Sequence, residues 1–144
     1  MRERSTVQTL TLLVGAVFVL VGILGFIPGI TTHYGDMNFA GHDSGAKLFG
    51  VFQVSILHNI VHILFGLAGL ALSKTWEGSR TYLVGGGVIY LVLFAYGLIW
   101  HGTQGANFIP FNSADNILHL GLGIGMIGLG VITGKTALAE RPAT

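Results

Sequence analysis

The sequence predicts an all-α fold: an up-down bundle of four transmembrane helices, built from two parallel two-helix repeats. Three observations predict it. The 144-residue chain is 51% hydrophobic and only 9% charged, with a mean hydropathy of +0.72, whereas an average soluble domain carries roughly 25% charged residues. Its apolar residues gather into four segments, each close to the ~20 residues that cross a ~30 Å hydrocarbon core. The second pair of segments also echoes the first. The length fits a single domain over residues 1–144.

The first segment runs from about residue 7 to 27. Met1-Arg-Glu-Arg4 in front of it looks like the start of a signal peptide. The apolar run is long, however, and no small-x-small cleavage site precedes Pro28, so the segment is expected to stay as a helix. The second segment runs from about 48 to 72, the third from about 82 to 100 and the fourth from about 116 to 133. In lipid only a helix satisfies its own backbone polar groups along a lone span, so each segment reads as a helix. The repeat halves are about 7–72 and 82–133. The first loop, 28–46, is long for a bundle connection. Its second half, with the start of the second segment, is expected to lie as an interfacial helix with Lys47 snorkelling to the headgroups. The tail from Lys135 to Thr144 reads as a short solvated end.

Basic residues orient the spans. Arg2, Arg4, Lys74, Arg80, Lys135 and Arg141 fall on one side of the bilayer, and Lys47 alone on the other. The positive-inside rule then places both termini and the 73–81 loop in the cytoplasm of a multi-pass cell-membrane protein. The outer loops, roughly 28–46 and 101–115, hold Asp36, Asp43, Asp115, His33, His42 and His101. Trp76 and Trp100 sit at span ends, as interfacial anchors do.

Composition excludes several functions. A charge-poor apolar chain is neither an ordinary soluble enzyme nor disordered. With no cysteine there is no disulfide framework, thiolate zinc site or thiol catalysis. A net charge of +1 offers no basic surface to nucleic acid. No nucleotide-binding glycine loop, nucleophile elbow or zinc-protease helix occurs, so hydrolytic chemistry has no support.

The repeat is clearest around two histidines. His58-Asn-Ile-Val-His62 matches Asp115-Asn-Ile-Leu-His119, and a glycine follows each second histidine by four residues, at Gly66 and Gly123. Leu13-Val-Gly15 aligns with Leu83-Val-Gly85. Both halves enter the bilayer from the same side, which relates them by a pseudo-two-fold axis along the membrane normal. The run from Gly50 to Gly66, followed by Asp115-Asn-Ile-Leu-His119, resembles the bacterial domain-of-unknown-function family 4383 over about residues 7–134. The resemblance implies a small four-helix membrane protein and no assigned activity. The residues that look like its motif are His58, Asn59, His62, Asp115, Asn116 and His119.

Ionisable groups inside a membrane are expensive and default to a functional reading. His58 and His62 share one helix face, as do Asp115 and His119. In an up-down bundle the second and fourth helices lie diagonally, so His62 and His119 would face each other over the axis. Opposed neutral imidazoles suit haem b, giving electron transfer, with His58, Asn59, Asp115 and Asn116 around the ligands. Gly66 and Gly123 would leave room for the macrocycle. Gly69 and Gly130 lie on the same faces. A second reading is a zinc or first-row transition-metal site of His58, His62, His119 and Asp115.

The bland reading is polar glue between helices at ~0.6 kcal/mol per hydrogen bond, in a structural or accessory subunit of a larger membrane complex. In that case Asp115 serves the helix dipole, Ser113 caps the helix, and Asn59 bonds across to Asn116. Glycine stripes at Gly15, Gly22 and Gly25 and at Gly121, Gly125 and Gly128 read as tight packing or a homo-oligomer face. Gly85-Gly-Gly87 would loosen the third span or admit a partner helix. Tyr90 and Tyr96 read as packed residues with one satisfied hydroxyl.

Overall fold

The computed structural model describes residues 3–100 and 112–139. Arg2, Arg141 and His101 lie outside the described residues. Four helices form: α1 (Thr6–Leu24), α2 (Ile56–Leu72), α3 (Trp76–Ile99) and α4 (Ser113–Ala139). Three of them are long and apolar enough to cross a membrane, α4 through its part Ser113–Lys135. The 17-residue α2 is equally apolar and shorter; at 1.5 Å per residue it reaches about 26 Å.

The second helix therefore begins at Ile56, and the expected start near residue 48 is corrected. The chain before it folds instead into a three-stranded antiparallel sheet of β1 (Thr31–Thr32), β2 (Lys47–Leu48) and β3 (Phe52–Gln53), in the order β1-β2-β3. The tight turn between β2 and β3 puts Phe49 at φ 53 and Gly50 at φ 72, a backbone no helix can adopt. Ser55 then starts α2 by accepting a hydrogen bond from the His58 amide. The expected interfacial helix is replaced by this sheet and a 3-10 turn at Tyr34–Asp36. Lys47 sits exposed in β2. The sheet has its own small core, in which Ala46, Leu48 and Val54 are buried against Val21, Leu24, Ile30, Met37 and Phe52. It thus plugs one end of the α1–α2 pair.

At the other end the expected 73–81 loop shrinks to residues 73–75. Thr75 caps α3 through the Gly78 amide, and the Gln8 side chain donates to the carbonyls of Ser73 and Lys74. Thr11 donates to the Ser79 carbonyl from α1. α4 likewise outruns its expected end at residue 133 and continues to Ala139, into the stretch read as a tail.

Packing follows the repeat. α1 packs on α2 and α3 on α4; lighter contacts join α1 to α3 and α4, and α2 to α3; among the described residues α2 and α4 share no comparable contact. A Cβ added at Gly15 would stand 2.9 Å from the Gly66 carbonyl oxygen, and one at Gly66 would stand 2.6 Å from that of Gly15. In the other half, Cβ atoms at Gly87 and Gly123 would meet each other's carbonyl oxygens at 2.8 and 3.1 Å. Gly15 therefore corresponds to Gly87, and the alignment with Gly85 is corrected. A Cβ at Gly85 would meet open space. α3 runs unbroken through the three glycines.

The stripe Gly15, Gly22 and Gly25 is packed against α2, whereas Cβ atoms at Gly121, Gly125 and Gly128 would touch nothing. Gly66→Ala or Gly123→Ala is expected to cost about 1–3 kcal/mol by driving backbones apart. Gly125→Ala should change stability by less than about 0.5 kcal/mol. Reversible unfolding in mixed detergent micelles checks this; equal losses at Gly66 and Gly125 would refute the assigned contacts.

Candidate functional site

The N-terminal turns of α2 and α4 stand at the same end of the bundle as the sheet. Their caps are matched. Ser55 Oγ accepts from the His58 amide, and Asn112 Oδ1 accepts from the Asp115 amide at 2.9 Å. Asn112, not Ser113, is thus the cap of α4. Asp115 completes a capping box: its Oδ2 accepts from the Asn112 amide at 2.9 Å. The same oxygen accepts from the Gln53 amide of β3 at 3.1 Å, and Asn112 Nδ2 donates to the Val51 carbonyl at 2.7 Å. Asp115 and Asn112 therefore tie the second repeat to the sheet inserted in the first.

The asparagines do not bond across to each other. The Asn59 amide lies against Gly25, and a Cβ there would fall 2.1 Å from its Oδ1. Asn116 lies in the same way against Gly97, where the distance would be 1.9 Å. Each polar side chain occupies the hollow left by a glycine on the neighbouring helix. Asn59 also donates to the Met37 sulfur at 3.9 Å.

Behind the caps the histidines enter a line of rings. His58 stacks on His62 at 4.3 Å between centroids, and His62 on Phe18 at 5.6 Å. Phe18 stacks on Tyr90 at 5.6 Å, and Tyr90 leans on His119 at 5.4 Å. Gly15-Ala-Val-Phe18 matches Gly87-Val-Ile-Tyr90, so the central pair is itself related by the repeat. Phe18 was missed from the sequence, although this spacing carries the signal. His62 Nδ1 stands 3.1 Å from the His58 carbonyl oxygen. A carbonyl only accepts, so Nδ1 bears the hydrogen. In the neutral ring Nε2 then keeps its lone pair and points away from the α2 backbone.

His58, Asn59, His62, Asp115 and His119 line one cavity of about 200 Å³. The other described residues of its wall are apolar: Val21, Leu48, Phe49, Phe52, Val54, Leu118 and Leu122. It occupies the gap where α2 and α4 fail to pack. Asn116, Gly66 and Gly123 do not line it. The expected space beside each histidine is closed, because Val19 fills the hollow at Gly66 and Leu91 that at Gly123. Tyr82 closes Gly69, and Leu83 with Val84 closes Gly130.

Among the described residues, no three of His, Asp and Glu form a group that could hold a metal ion. His33 and Asp36 stand 4.0 Å apart, and His42 and Asp43 3.2 Å apart, in the segment before β2 and outside the cavity. Tyr96 lies against Trp100, away from the cavity.

The family described as Domain of unknown function (DUF4383) matches residues 8–132, and the chain belongs to it. No curated protein and no solved structure matches the chain.

The tie through Asp115 has a measurable consequence. Asp115→Ala strips the acceptor from the Gln53 and Asn112 amides and is expected to cost about 1–3 kcal/mol. Amide exchange at Gln53 should quicken while that of the α1–α2 contact holds. Unchanged exchange at Gln53 would show that the tie does not form.

Proposed function

We propose that this chain is a non-hydrolytic, ligand-binding protein of the cell membrane, whose histidine-lined cavity takes one small molecule. The observation that carries the reading is the convergence of three imidazoles on a space that the helices leave open. Helix glue accounts for the caps and for Asn59 and Asn116, each of which fills a hydrogen-bonding or packing role. It does not account for the cavity. A bundle that needed only adhesion would close over its polar groups, because polar atoms facing an empty apolar space cost free energy. A mostly apolar pocket with a few converging polar groups is the usual form of a small-molecule site.

Haem b between His62 and His119 is the second reading, and the bare Nε2 of His62 favours it. The filled hollows at Gly66 and Gly123 and the Phe18–Tyr90 stack favour a smaller occupant. A metal ion on His58, His62, His119 and Asp115 draws less support, since the Asp115 carboxyl group is held by two amides. The cavity belongs to the outer half of the bilayer in this reading. Arg4, Lys74, Arg80 and Lys135 at the opposite end support cytoplasmic termini.

Two measurements test the proposal. Protein purified in mild detergent from haem-replete cells is extracted, and bound small molecules are quantified by mass spectrometry. A near-stoichiometric compound is expected, reduced about tenfold in Leu118→Trp, which fills the cavity; a tenfold loss equals about 1.4 kcal/mol of binding. The visible spectrum should stay flat before and after dithionite. A Soret band that vanishes in His62→Ala would establish haem instead, and protein that carries nothing would leave the accessory-subunit reading.

Orientation is tested in the cysteine-free background. Phe39→Cys, at a position 64% exposed, should react with an impermeant maleimide in intact cells. Lys74→Cys should react only after permeabilisation. The reverse pattern would invert the topology.

A further inference from the structure

Resting on that ligand-binding reading, we infer that the occupant is a neutral phenolic lipid of the hydroquinone class, held by a hydroxyl that donates to Nε2 of His62. Nδ1 of His62 is committed to the His58 carbonyl, so the ring presents an acceptor and no donor to the cavity. A quinone, ketone or ester head offers only acceptors, which suit an N–H of another lining side chain but leave the Nε2 lone pair of His62 unpaired. A hydroxyl head satisfies the imidazole.

The walls select the rest of the molecule. The stacked pair of His58 and His62 and the side chains of Phe49 and Phe52 give the cavity aromatic surfaces, which favour a planar ring over an aliphatic alcohol. About 200 Å³ lies below the range of roughly 300–1,000 Å³ usual for drug-sized ligands, so the head is limited to about one ring. Among the described residues no lysine or arginine lines the cavity, and Asp115 does, which disfavours an anionic head. Leu118 and Phe49 line the cavity yet remain 40% and 59% exposed, so it opens to the surface through apolar side chains. An apolar tail can leave by that route into lipid.

The tight β2–β3 turn, with Phe49 at φ 53, sets this side chain at the rim of the cavity.

The test measures binding of three probes to the full chain in lipid nanodiscs by calorimetry: decyl-benzohydroquinone, decyl-benzoquinone and 1-decanol. The hydroquinone is expected to bind about tenfold tighter than the quinone, the loss for leaving one buried acceptor unpaired, and tighter than 1-decanol, which donates to the imidazole but has no ring to lie against the aromatic walls. His62→Phe keeps a ring on Phe18 and removes the acceptor, so the preference over the quinone should fall to about twofold or less. His62→Gln retains an acceptor and should recover part of it. The wild-type preference stands as a test even if a variant fails to fold.

Equal or tighter binding of the quinone overturns the hydroxyl inference and leaves the ligand-binding reading intact. Equal binding of decanol overturns the aromatic head. If no probe binds while extraction yields another compound, this inference falls alone. If extraction also yields nothing, the broader reading falls with it.

Discussion

Two apolar helices in a bilayer gain little by burying apolar surface against each other, since lipid is an equally good neighbour. What joins them is close van der Waals contact, and this requires backbones to approach. In each half of this molecule one glycine pair permits that approach: Gly15 with Gly66, and Gly87 with Gly123. The main chains meet where any side chain would intervene. The rest of the arrangement depends on these two contacts. They fix the axial register of each helix pair, and the register sets Asn59 against Gly25 and Asn116 against Gly97. They also bring Phe18 and Tyr90 to one depth, where the two halves stack.

Tight packing within the halves leaves looser packing between them. Near the termini the junction is closed by Thr11 on the Ser79 carbonyl and by Gln8 on the turn after α2. Near the sheet, α2 and α4 stay apart and the cavity lies between them. The sheet holds that end together. It is built from the long connection within the first half, and its third strand is gripped by Asp115 and Asn112 of the second. A cavity in a small bundle would normally collapse at the expense of its lining. Here the wall is braced on one side by a hydrogen-bonded sheet and on the other by stacked rings.

Much of this was legible in the sequence because it followed from periodicity and composition. Four apolar segments gave four helices, and the matched His-Asn and Asp-Asn motifs gave the correspondence of α2 with α4 in the repeat. The errors have physical causes. Residues 48–55 are apolar enough to extend a span, and hydropathy cannot distinguish lipid-facing side chains from the core of a small sheet. The turn at Phe49-Gly50 was visible only as one glycine beside a phenylalanine. The α1–α3 alignment went astray because Leu-Val-Gly recurs cheaply in membrane helices. The longer spacing, Gly15 to Phe18 to Gly25 against Gly87 to Tyr90 to Gly97, holds the correct register. A glycine's hollow does not reveal in the sequence which neighbour fills it, and at Gly66 and Gly123 the neighbours are Val19 and Leu91.

The repeat fails at one informative place. Nearly every polar group near the sheet has a partner of like role in the other half: Ser55 with Asn112, Asn59 with Asn116, His62 with His119. His58 corresponds to Asp115, and these two differ in chemistry and in task. The carboxyl group turns to amides and braces the sheet. The imidazole stacks on His62, and its backbone carbonyl fixes that ring's hydrogen on Nδ1. The difference ties one wall of the cavity to the sheet by hydrogen bonds and gives the other a defined acceptor.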